Sequence, residues 1–71
     1  MLFRSFINCN LKFAKFRGAD LSGADLTGSD LADADLRGAT LFGTNLKFAK
    51  GLTKEQLDGA LKNKETQLPN L

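Results

Sequence analysis

The sequence has no histidine, tryptophan or tyrosine, one cysteine and one proline. A nucleophile or general base needs partners within hydrogen-bond reach, and Cys9 has no imidazole to activate it. One cysteine permits no internal disulfide, which fits a reducing compartment and predicts a cytoplasmic location. No apolar run approaches membrane-spanning length, and no membrane partner is expected. The start is apolar but short, and Phe6 already carries the repeat phase described below, which argues against a cleaved signal peptide. Neither sign of charge dominates: ten Lys and Arg against eight Asp and Glu leave a net +2, so nucleic acid is not an expected partner. At 71 residues the chain is one domain at most, near the size where a single core becomes marginal.

What is present is a period of five. Phe16, Leu21, Leu26, Leu31, Leu36, Leu41 and Leu46 form one column. Two positions earlier runs a second, of small residues: Ala14, Ala19, Ala24, Ser29, Ala34, Ala39 and Thr44. Phe6 and Leu11 continue the first column backward; Arg4 and Cys9 stand in the small slots. The phase is lost at Gly51. Five is neither the helical 3.6 nor the strand 2. A helix would smear these leucines around its girth, and a flat strand would alternate them between faces. A short extended step followed by a turn, repeated, points the same position inward every time. The turn chemistry agrees: Gly18, Gly23, Gly28, Gly38 and Gly43 hold the fifth position, with Asn8 and Asp33 among the exceptions. A type II turn needs positive φ at its third residue, which Gly supplies and Asn tolerates. Such a chain winds into a solenoid whose stacked coils bury what none could bury alone.

The unit Ala19-Asp20-Leu21-Ser22-Gly23 and its neighbours over residues 4–50 resemble the pentapeptide repeat family. The resemblance implies an all-β fold, a right-handed quadrilateral β-helix with about twenty residues per coil. This chain would then form little over two coils across residues 1–51, with residues 52–71 as a short C-terminal α-helical cap and an extended tail. Phe13 and Phe48 depart from the pattern at the turn position, and those two turns are expected not to be type II. Lys15 and Thr40 depart at the usual Asp/Asn position. A twenty-residue coil stacks Phe6 with Leu26 and Leu46, Leu11 with Leu31, Phe16 with Leu36, and Leu21 with Leu41. It also sets Lys15 against Asp35 and Asp30 against Lys50, pairs of about 0–1 kcal/mol each that favour register over stability. Arg17 over Arg37 is the one like-charge column.

After Gly51 the pattern becomes helical. Thr53 is the expected N-cap, Gln56 completes a capping box, and Leu52 with Leu57 forms a hydrophobic staple. Leu57, Ala60 and Leu61 give an apolar stripe, and the helix is expected over residues 54–62, with Lys62 and Lys64 at its negative end. So short a helix must dock, and the lower coil is the place.

No catalytic, cofactor or metal site is expected. Cys9 reads as core. Asp20, Asp25 and Asp30 point from successive sides of a square and diverge. Asp30, Asp33 and Asp35 lack a calcium-loop pattern. Lys12-Phe13-Ala14-Lys15 and Lys47-Phe48-Ala49-Lys50 interleave base and aromatic, as single-strand binders do. Their spacing puts them on adjacent sides, and Phe48 is expected to pack on the terminal helix. The expected function is a non-enzymatic structural or protein-interaction module. Leu2, Phe3, Phe6 and Ile7 lie on or beside an open N-terminal coil, which predicts a head-to-head homodimer, unless the first six residues fold back as a lid. Phe13, Phe42 and Phe48 are candidate contacts for a protein partner, with Leu68 and Leu71 as alternative cover for Phe42. A second reading, implied by the resemblance, is duplex mimicry toward a DNA-acting enzyme such as gyrase. The short length and slight positive charge oppose it.

Overall fold

A leucine every fifth residue is buried only if the chain turns a corner once per unit. The computed structural model, which describes residues 5–71, shows those corners as two-residue turns separated by isolated parallel bridges. Ser5 bridges Asp25, Asn10 bridges Asp30, Lys15 bridges Asp35 and Asp20 bridges Thr40; one coil further, Asp25 bridges Asn45 and Asp30 bridges Lys50. Each bridge is a pair of backbone bonds: Leu11 N–H donates to the Asp30 carbonyl at 2.8 Å, and Asp30 N–H donates to that of Cys9 at 2.9 Å. Four corners separate bridged residues, so the coil has four sides. The first carries Phe6, Leu26 and Leu46; the second Leu11 and Leu31; the third Phe16 and Leu36; the fourth Leu21 and Leu41.

Every corner closes in the same way. The leucine-column carbonyl accepts the N–H three residues on, as from Ala24 to Leu21 at 3.0 Å. The turn's third residue has positive φ, and this holds at Phe13 (63°) and Phe48 (62°) as at the glycines. The expectation that these two turns differ is therefore corrected. The cause is coil closure. Phe13 N–H is committed to the Ala32 carbonyl at 3.0 Å and Ala14 N–H to that of Leu11 at 3.1 Å, which leaves the intervening residue no other φ. A left-handed conformation costs an L-residue about 1–2 kcal/mol, and the surrounding ladder imposes it.

Leu26, Leu31, Leu41 and Leu46 are 0% exposed and Leu36 is 2%. Leu21 is buried, while Phe6, Leu11 and Phe16 are half-buried against this core. Two polar residues occupy small slots inside it. The Thr44 hydroxyl donates to the Leu21 carbonyl at 2.7 Å, and that of Ser29 donates to Phe6, so neither is left unpaired.

The leucine phase stops at Gly51 for a steric reason. Its φ is +74°, and a Cβ there would sit 2.7 Å from Ala32 Cβ and 2.8 Å from Ala32 Cα and N. The chain then enters helix α1, Lys54–Asp58, with Thr53 as N-cap and Gln56 closing the capping box. Gln56 Nε2 also donates to the Leu31 and Ala34 carbonyls, at 2.9 and 3.0 Å, which seats the helix against the second and third sides. Leu52, Leu57 and Ala60 are buried.

The helix is shorter than the residues 54–62 expected. Gly59 donates back to Glu55 and Leu57, and its carbonyl takes Gly38 N–H at 2.7 Å. Leu61 then bridges Thr40, accepting from Leu41 N–H at 2.7 Å and donating to Ala39 at 2.8 Å. Pairing with an open coil edge outweighs one more turn of a short helix. Leu61 is accordingly exposed rather than part of the apolar stripe. Lys62 Nζ donates to the Leu57 carbonyl at the helix end. The tail goes on pairing: Gln67 bridges Asn45, the Thr66 hydroxyl donates to the Leu41 carbonyl at 2.6 Å, and Asn63 Oδ1 accepts Gly43 N–H at 3.2 Å. No helix among the described residues is long and apolar enough to cross a membrane.

Candidate interaction surfaces

The outward carboxylates have a task inside the fold. In Asn10, Asp20, Asp25, Asp30, Asp35 and Asn45, Oδ1 accepts the N–H two residues on at 3.0–3.1 Å. Each braces the corner that follows it. The sequence carried this signal, an Asp or Asn before nearly every leucine, but it read as a solvated face. Asp25 is held in its ionised form: the Thr27 hydroxyl, at 2.5 Å, and then Thr27 N–H keep its carboxyl below the ordinary 3.8. Among the described residues, no group of three or more His, Cys, Asp and Glu is placed to hold a metal ion. Cys9 is half-buried, its N–H donating to Ser29 Oγ at 3.1 Å.

This bracing also redirects the ion pairs. Lys15 and Asp35 bridge through their backbones, as do Asp30 and Lys50, but among the described residues the two carboxylates pair with other cations. Pinned toward the following corner, Asp35 meets Arg17 Nη2 at 3.0 Å and Arg37 Nε at 3.1 Å, and Asp30 meets Lys12 Nζ at 3.7 Å. One carboxylate thus bridges the like-charge column of Arg17 over Arg37 and offsets their repulsion, leaving the three groups with one net positive charge. These groups are largely exposed, so the effect is on local geometry more than on stability.

Of the candidate contact residues, Leu2 and Phe3 lie outside the described residues. Phe6 is half-buried and Ile7 exposed. Phe13 is 69% exposed and Phe48 77%. Phe48 does not pack on α1, because the helix lies across the second and third sides while Phe48 turns outward at the corner before them. It borders a groove of about 300 Å³ with Lys47, Ala49, Leu68, Pro69 and Asn70. Phe42 is exposed, as are Leu68 and Leu71.

The family model for pentapeptide repeats matches residues 5–43 and 19–50, with eight copies. The chain belongs to the pentapeptide repeat family. Members of this family are right-handed quadrilateral β-helices, generally structural modules rather than enzymes. The chain is also similar to the crystal structure of alr5209, a pentapeptide repeat protein from Nostoc Pcc 7120. The two are 28% identical over 96% of this chain and 76% of that one, with a TM-score of 0.36. No curated protein matches the chain.

Proposed function

We propose that this pentapeptide repeat protein is a non-enzymatic interaction module that self-associates through its N-terminal coil. The observation that carries the reading is the gradient of burial along the leucine columns. Phe6, Leu11 and Phe16 are half-buried where their stacked partners Leu26, Leu31 and Leu36 are buried. The edge of that coil has matching unused polarity. In the next coil, Asp30 and Asp35 direct both N–H and carbonyl upward into bonds. By the same geometry Asn10 and Lys15 direct both groups away from the solenoid, and among the described residues nothing bonds them. A residue offering both groups on one edge is what an antiparallel partner strand requires. A second copy, turned end over end, supplies such a strand and an apolar surface of the same shape.

Light scattering across protein concentration tests this. The wild type should pass from monomer to dimer as concentration rises. Lys15→Pro, which removes an edge N–H not used inside the protomer, should stay monomeric with an unchanged circular dichroism spectrum. A wild type monomeric at every concentration would remove the basis for self-association. Duplex mimicry gains no support: it needs a continuous negative face, and Lys12, Arg17 and Arg37 interrupt one at Asp30 and Asp35.

A further inference from the structure

We propose that the second side of the solenoid, through Leu11 and Leu31, docks on an anionic lipid surface with Phe13 and Phe48 as its apolar anchors. Five other corners fill the same left-handed slot with glycine, at no steric cost. Phe13 and Phe48 accept that strain and remain 69% and 77% exposed, so burial within the protomer returns nothing for it. A strained, bulky and exposed side chain, present twice, points to a contact outside the protomer.

The coil ladder puts both on the margins of one side. Phe13 N–H bonds Ala32 across one corner of it. At the other corner, Asn8 N–H bonds Thr27 and Gly28 N–H bonds Lys47, which stacks Phe48 two coils from the exposed Ile7 and its neighbour Asn8. Two coils span about 10 Å at the usual strand spacing. The charge around Phe48 is complementary to an anion: among the described residues Lys47 at its corner and Lys50 on the side itself are exposed and in no ion pair, and Asp30 is held by Lys12. At the other Lys-Phe-Ala-Lys, Lys15 stands on the adjoining third side and exposed Asp33 takes the next coil's place at the Phe13 corner, so the positive charge is concentrated at Phe48. The apolar groups protrude from corners; aliphatic Leu68 shares a shallow groove with Phe48, and exposed Ile7 stands two coils along the same corner. Stacked bases would use the Phe rings but not these, whereas a lipid interface takes both. The contact is peripheral and needs no spanning segment.

Vesicle flotation of the full chain tests the proposal. It should float with phosphatidylserine-rich vesicles, far less with pure phosphatidylcholine, and be released by salt. Lys47→Gln and Lys50→Gln should each weaken binding about fivefold. Phe13→Gly and Phe48→Gly should each weaken it about tenfold or more, with a melting temperature no lower than wild type, because glycine suits the corner. That last readout separates lost binding from lost folding. Three results would overturn the assignment: no preference for the anionic vesicles, wild-type binding by the glycine variants, or preferential capture by oligothymidylate, which would make this a nucleic-acid surface.

Discussion

Three glycines with nearly identical backbones provide a controlled test of how tightly the coils stack. Gly18, Gly23 and Gly51 have φ of +72°, +73° and +74°. A Cβ at Gly18 or Gly23 meets nothing within 4 Å. Alanine there carries only the left-handed penalty, about 1–2 kcal/mol, part of which a stiffer unfolded chain offsets. At Gly51 the same Cβ falls 2.7–2.8 Å from Ala32. Ala32 cannot yield freely: its N–H is held by Asp30 Oδ1 at 3.1 Å and its carbonyl by Phe13 N–H at 3.0 Å. Overpacking against a fixed neighbour adds about 1–3 kcal/mol, so Gly51→Ala should cost about 2–5 kcal/mol. A domain of this size has about 4–11 kcal/mol in all. Urea denaturation of the three variants followed by circular dichroism reads the difference. If Gly51→Ala unfolds at the same urea concentration as Gly23→Ala, the close approach of Gly51 to Ala32 does not exist in solution.

Other substitutions probe the remaining contacts. Asp25 has a depressed pKa, so its contribution to stability is present above pH 3.8 and is lost as pH falls through its lower folded value. Thr27→Val should raise that titration toward 3.8, followed by NMR of the Asp25 carboxyl. Thr53→Ala should cost about 0.5–2 kcal/mol by loss of a cap. Gln56→Ala should cost more, because it also strands the Ala34 carbonyl and takes a second donor from that of Leu31; equal urea midpoints for the two would argue against the seating of α1. Leu31→Ala, at a fully buried site, should cost about 2–5 kcal/mol, and Leu11→Ala in the half-buried coil distinctly less in dilute solution.

The leucine column and its inward direction were legible because they follow from one repeated local rule, visible from Leu21 to Leu46. What escaped the sequence depended on partners far along the chain. Nothing local announces that Phe13 takes positive φ; its ladder bond to Ala32 decides it. Nothing local says that Leu61 leaves the helix, because its competitor is the open edge at Thr40. The column over Asp35 looked repulsive because the carboxylate's tether to Arg37 N–H, which swings it between two guanidinium groups, is a consequence of the corner and not of the spacing. For the surfaces, composition gave the Lys-Phe-Ala-Lys pair but not its placement, which needed the four-cornered coil.

The solenoid is held above all by backbone bonds joining residues nineteen positions apart, as from Leu21 N–H to the Thr40 carbonyl and from Leu31 N–H to that of Lys50. Scalar couplings across hydrogen bonds, measured by NMR on labelled protein, observe such pairs one at a time. The fold described predicts couplings between Leu21 nitrogen and Thr40 carbonyl carbon, and between Leu31 nitrogen and Lys50 carbonyl carbon. Couplings from these amides to carbonyls four residues earlier, or to any other part of the chain, would contradict it.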